Sequence, residues 1–231
     1  PASGVSVARP GSDPTAFAAR IESPERDRLR AMLGVAPDQL LVGTVSCLKP
    51  QKSPEDFVRV AALVCQRVPA ARCVLVGDGA LRPKVEALLL EQGLQDRVTL
   101  LGWRRDVAAL LKAFDVFVLT SQWEGLPCAI LEARASRIPI VATRVGGAAE
   151  AIVEGIQGTL CPAGDVRAMA ERVCQILEDE RFRVDLRTGT QELPEEFTIQ
   201  ETLKQYQSLY AYLLHATRPS EDVMKLQPNR L

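Results

Sequence analysis

Asp115-Val116-Phe117-Val118-Leu119-Thr120 runs through Ser121-Gln122-Trp123 into Glu124-Gly125-Leu126-Pro127-Cys128-Ala129-Ile130-Leu131-Glu132-Ala133. The first six residues read as a buried strand, and the residues after Pro127 read as a helix. Seven residues separate Glu124 from Glu132. One carboxylate then sits at the C-terminal edge of a strand and the other two helical turns further on. Both face the mouth of an open α/β sheet, the place where such sheets bind ligands. Two carboxylates there can each accept hydrogen bonds from sugar hydroxyls, and the helix N-terminus between them can hold a phosphate.

Outward from this stretch the same rhythm repeats. Ser23-Pro24-Glu25 is a helix start, closed by Gly34. Strands are expected at 40–45, 72–76, 97–101, 115–119, 138–142 and 159–161. Helices are expected from Ser53-Pro54 through Val68, at 81–91, 106–113 and 127–136, after Gly146-Gly147, and from Asp165 to about Asp179. Alternating strands and helices predict a doubly wound parallel α/β sheet, Rossmann-like. Thr198-Ile199-Gln200-Glu201 fits a capping box, and Leu203, Tyr206, Leu209, Tyr210, Leu213 and Leu214 share one face of the extra C-terminal helix that follows. Residues from about Arg218 onward carry Pro, Asn and charge, and are expected to fray.

Composition narrows the function. With 28 basic and 29 acidic residues among 231 there is no argument for nucleic acid as a partner. No apolar run approaches the roughly 18 residues of a membrane helix. The single histidine, His215, excludes a His triad or a multi-His metal site within these residues. None of the six cysteines stands in a Cys-x-x-Cys pair, and reduced, buried thiols of a cytoplasmic protein are expected. No metal site is expected.

Gly77-Asp78-Gly79 follows a strand, but the third glycine of a dinucleotide fingerprint is replaced by Arg82, so a tight turn is the better reading. A phosphate site is better drawn from three loops: Ser46 to Lys52, with Cys47 and Lys49; Gly125-Leu126-Pro127-Cys128 at a helix start; and Gly146-Gly147. Glu132 lies between Leu131 and Ala133, where a charge is costly unless it meets a partner or ligand. A solvated helix face is the alternative for Glu132, and a helix cap for Glu124. Glu150 fits a site wall or plain surface equally well.

Glu-Gly-Leu-Pro, Leu-Glu-Ala, Pro139-Ile140-Val141-Ala142-Thr143 and Gly146-Gly147-Ala148-Ala149-Glu150 together resemble the donor-binding half of a retaining GT-B glycosyltransferase of the group-4 family (glycosyl transferases group 1). The resemblance runs from about Leu41 to about Tyr212. It implies metal-independent transfer, with retention, from a nucleotide-diphosphate sugar and without a further cofactor. It assigns Glu124 to the sugar hydroxyls, Glu132 to the ribose and Lys52 to the diphosphate. The family's second cation, an arginine, aligns with Cys47, and Lys49 is the available substitute. Trp103 falls where the base would lie, to stack on it or to serve as core or rim.

The resemblance also implies that residues 1–38 are a linker remnant with a lead-in helix, 39–192 the nucleotide-sugar domain, 193–217 a helix crossing back to an N-terminal domain, and 218–231 a disordered tail. That N-terminal domain would bind an acceptor sugar or lipid-linked glycan and make any peripheral membrane contact. The alternative is a non-catalytic or degenerate nucleotide-sugar-binding module.

Overall fold

The structure is a computed structural model, and it describes residues 11–18, 23–189 and 193–216. The expected tail at 218–231 and the first ten residues of the linker remnant lie outside them. Six strands form one sheet: β1 (Leu40–Val45), β2 (Ala71–Val76), β3 (Val98–Gly102), β4 (Val116–Leu119), β5 (Ile140–Thr143) and β6 (Gly158–Cys161). Their order is β3-β2-β1-β4-β5-β6, and every pairing is parallel.

Successive side chains alternate between two cores. Val42, Leu75, Val116, Val118 and Val141 face α3 (Pro54–Arg67), α4 (Arg82–Glu91) and α8 (Val166–Glu178). Leu41, Val74, Phe117, Leu119, Ile140 and Ala142 face α5 (Val107–Ala113), α6 (Cys128–Ala135) and α7 (Ala148–Ala151). With both faces covered, the strands read as continuous apolar runs, and all four residues of β4 are buried. The doubly wound sheet is the one expected from the alternating pattern.

The differences are local. Ser53 does not cap α3 with its side chain: it adopts φ 44°, and its Oγ donates to Asp56 Oδ2 at 2.7 Å. The preceding segment, Pro50–Lys52, forms a 3-10 turn that sets this geometry. Pro127 is not inside α6 but is its N-cap, at φ −75° and ψ 109°. Helix α9 (Glu180–Gly189) was not anticipated.

Asp115 precedes β4 rather than beginning it, and it acts as an anchor at the N-terminal end of the sheet. Its Oδ2 accepts from Leu41 N–H at 2.8 Å and from Arg30 at 3.0 Å, and its Oδ1 accepts from Arg26 at 2.9 Å and Arg187 at 3.5 Å. Burial pushes its carboxyl up, but the Leu41 N–H and the guanidiniums of Arg30, Arg26 and Arg187 outweigh this and hold it below the usual range. This one carboxylate fastens helix α2 (Ser23–Met32) and α9 to the central strands.

Helix α10 (Ile199–Ala216) begins with half of the expected capping box: Glu201 N–H donates to Thr198 Oγ1 at 3.3 Å, but the Thr198 N–H donates to Glu195 O at 3.0 Å and the Glu201 carboxylate pairs with Lys204. Leu203, Tyr206, Tyr210, Leu213 and Leu214 on it are exposed, and Leu209 is half-buried. At its base, Ser12 N–H donates to Phe197 O at 3.0 Å and Ile199 N–H donates to Ser12 O at 3.1 Å. The incoming chain and the start of α10 therefore lie side by side.

Candidate functional site

The chain lays β1, β2 and β3 outward in one direction, then returns to place β4 on the other flank of β1. At such a reversal of strand order open α/β sheets place their ligand cleft. The loops leaving β1 and β4 are stitched together at its floor. Gln122 N–H donates to Gln51 O at 2.8 Å. Thr120 Oγ1 donates to the carbonyls of Lys52 and Ser53 at 3.0 and 2.9 Å, and Gln51 Nε2 donates to Trp123 O at 3.0 Å.

Above this floor Lys52 Nζ forms an ion pair with Glu124 Oε1. The side chains are 17% and 5% exposed, so the pair is largely withdrawn from water. Ser121 Oγ donates to the same carboxylate oxygen at 2.6 Å, while Gln51 Nε2 reaches the other oxygen at 3.4 Å. A buried charge held by several donors resists separation, because each partner left alone would lose its compensation.

The third loop follows β5. Gly147 N–H donates to Gly125 O at 2.6 Å. A Cβ on Gly146 would lie 1.9 Å from Glu124 O, and one on Gly147 would lie 2.4 Å from Gly125 O. Only glycine allows this turn to rest on the Glu124 backbone. Thr143 Oγ1 adds a bond to Ser121 O at 2.6 Å. The structure thus brings Lys52, Glu124, Gly125, Gly146 and Gly147 into one constellation.

Helix α6 starts beside it. No side chain caps its N-terminus, so its first N–H groups remain for a ligand. Pro127 is buried, Leu126 half-buried, and Gly125 and Cys128 exposed. Burial and the Glu132 carboxylate push the Cys128 thiol up. Glu132, in the second turn, is half-buried and has neither hydrogen bond nor ion pair among the described residues; burial alone pushes its carboxyl above the usual range. An unpaired, desolvated carboxylate is a candidate ligand-binding group.

A cavity of about 430 Å³ lies at the C-terminal ends of β1, β2 and β3, walled by Ser46, Cys47, Gly77, Asp78, Trp103 and Arg104 among others. Trp103 is exposed on its rim, with the Arg105 guanidinium 5.4 Å from its ring centre. Cys47 and Lys49 are exposed, and the Lys49 side chain has no partner among the described residues. Gly77 is a close-packing glycine, since a Cβ there would lie 1.9 Å from Ser46 O. Asp78 and Glu86 pair with Arg82. No bond joins Lys49 or Glu132 to the Lys52–Glu124 pair.

A second cavity, of about 320 Å³, lies at the opposite end of the strands. Its Lys112 and Arg26 are committed to the carbonyls of Ala16 and of Lys112 and Ala113, and Arg26 also to Asp115.

Two contributors escaped sequence reasoning. Ser121 and Gln51 hold the Glu124 carboxylate, and their only sequence signal is nearness to Glu124 and Lys52. Among the described residues no group of three or more His, Cys, Asp and Glu is placed to hold a metal, and no helix is long and apolar enough to cross a membrane.

Comparison with known proteins agrees with this geometry. The chain is 31% identical over 184 residues to N-acetyl-alpha-D-glucosaminyl L-malate synthase of Bacillus anthracis, covering 79% of this chain and 48% of that protein. It is 29% identical over 209 residues to UDP-Gal:alpha-D-GlcNAc-diphosphoundecaprenol alpha-1,3-galactosyltransferase of Escherichia coli, covering 89% and 54%. The crystal structure of Anabaena Alr3699/HepE in complex with UDP and glucose superposes with a TM-score of 0.79 at 27% identity, covering 87% of this chain and 55% of that one. The chain spans about half the length of these relatives, and its sheet is that of one half of a GT-B glycosyltransferase. The family model described as glycosyl transferases group 1 matches residues 25–193, and the chain belongs to that family.

Proposed function

We propose that this chain binds a nucleotide-diphosphate sugar at the reversal of strand order and forms the donor half of a retaining, metal-independent glycosyltransferase. The observation that carries this reading is the withdrawn Lys52–Glu124 pair, built at the reversal between β1 and β4 and flanked by the open N-terminus of α6. As the bond to the sugar breaks, negative charge grows on the departing diphosphate. Lys52, Lys49 and the N–H groups of α6 stabilise that charge with preorganised positive ends, which is the role a metal ion would otherwise fill. Gly146 and Gly147 keep the approach free of side chains.

Glu124 accepts from the sugar hydroxyls and Glu132 from the ribose, while Trp103 and Cys47 wall the space for the base. These residues position and stabilise; none serves as nucleophile. The departing phosphate helps to deprotonate the acceptor, and the sugar keeps its anomeric configuration. The acceptor, a sugar or a lipid-linked glycan, arrives on a second domain, which also makes any peripheral membrane contact. The six free cysteines suit work in the cytoplasm.

Calorimetry with UDP and UDP-glucose, with and without EDTA, tests the site. Binding unchanged by EDTA is expected, and binding that appears only with added magnesium or manganese refutes it. Anomeric proton NMR of the product formed once an acceptor-binding domain is supplied tests retention. One observation favours a second reading, a donor-binding module without turnover: an exposed cysteine, Cys47, stands where the resemblance places the family's arginine.

A further inference from the structure

We infer that Ser121 is a positioning residue that orients the Glu124 carboxylate so that Oε2 is the oxygen offered to the donor sugar; the inference rests on the sugar-binding role proposed for Glu124. The two carboxylate oxygens are unequally served. Oε1 takes both Lys52 Nζ and the Ser121 hydroxyl, the latter at 2.6 Å. Oε2 has only Gln51 Nε2 at 3.4 Å, near the limit of a hydrogen bond. A carboxylate oxygen with two strong donors has little capacity left, whereas Oε2 keeps its lone pairs for a hydroxyl.

Ser121 is itself immobile. It is fully buried, and its carbonyl accepts from Thr143 Oγ1 at 2.6 Å, which fixes the turn to the end of β5. Lys52 cannot hold Glu124 alone during binding, because the incoming diphosphate competes for its ammonium. As Lys52 turns toward phosphate, Ser121 remains as the donor that keeps Oε1 in place. The hydroxyl thereby uncouples the sugar contact from the phosphate contact, and one side chain can serve each.

Calorimetry compares wild type, Ser121→Ala, Ser121→Cys, Ser121→Thr and Glu124→Gln, with UDP and with whichever of UDP-glucose, UDP-galactose and UDP-N-acetylglucosamine the wild type binds. Ser121→Ala nearly keeps the volume and removes the donor, while Ser121→Cys fills more of the site with only a weak donor, so the two together separate the bond from packing. The expected result is that Ala and Cys leave UDP affinity within about twofold while affinity for the sugar conjugate falls about five- to tenfold, the loss of one charge-assisted bond's orientation. Ser121→Thr, which retains the hydroxyl, keeps the wild-type preference for the conjugate. Equal losses for UDP and conjugate in the Ala and Cys variants would mark Ser121 as merely structural and overturn the inference. A preference lost in Glu124→Gln but intact in the Ser121 variants overturns this inference alone. If Glu124→Gln also leaves it intact, or no conjugate binds, the proposed role of Glu124 falls and this inference with it.

Discussion

Glu132 combines two properties that oppose each other, and the opposition can be measured. Its carboxyl is pushed up by burial with no partner to compensate. The folded state therefore holds its proton to higher pH than the unfolded chain, and stability falls as pH rises through the window above the ordinary glutamate value. Glu132→Gln should raise the thermal midpoint at neutral pH, with the gain vanishing in acid, while weakening both UDP and UDP-sugar binding. A variant less stable at neutral pH would mean that Glu132 has a protein partner instead. Beside it, Lys49 and Cys47 test how the diphosphate is held. A thiol cannot make arginine's bidentate phosphate contact. Lys49→Ala is expected to weaken UDP binding about as much as Lys52→Ala, by roughly 1.5–3 kcal/mol each, and Cys47→Arg should change it little. A titration in which Lys49→Ala is silent and Cys47→Arg gains affinity marks a decayed site. The seven-residue spacing of the carboxylates made Glu124 and Glu132 legible in the sequence, because that spacing joins a strand end to a helix turn. Ser121 was not legible: a serine in a turn acquires its role only when Glu124 folds back onto it.

Elements were legible where periodicity and punctuation agreed, as at β1, α4 and the capped start of α10. They were missed where a long-range contact decides. Helix α9 begins one residue after Asp179 ends α8, with no glycine or proline between, and Arg187 secures it to Phe114 O and Asp115. The serine before α3 carries the right residue type for a cap, but the turn ahead of it forces a left-handed backbone and turns the hydroxyl to Asp56. Asp115 looked like the first residue of a strand, because its three arginines come from 72 to 89 residues away. Asp115→Asn should cost roughly 3–5 kcal/mol at neutral pH, the penalty of removing one partner from a buried charge cluster. Its carboxyl is held below the usual range, so this stabilisation is present above the unfolded value and is lost as pH falls through the folded one. Denaturant unfolding of wild type and variant should converge in acid; parallel curves across pH would show that the charge is not what anchors α2 and α9.

For the whole molecule, the parallel doubly wound sheet followed from the alternation of elements, but the order β3-β2-β1-β4-β5-β6 did not, because alternation leaves open on which flank of β1 the chain places β4. The function proposed above places the acceptor on a second domain. The 231-residue chain is therefore expected to bind nucleotide sugar but transfer nothing, and addition of an acceptor-binding domain is expected to restore transfer. Radiolabelled sugar incorporation measures this, and turnover by the chain alone contradicts it. The hydrogen bonds between Ser12 and residues 197 and 199 then acquire a mechanical meaning. The second domain proposed above, if joined through both the incoming segment and α10, would be tethered at one pivot. Such a domain would swing over the donor about that point rather than slide across it. In the two-domain enzyme proposed above, the paired backbone at Ser12 would be the hinge pin of a jaw.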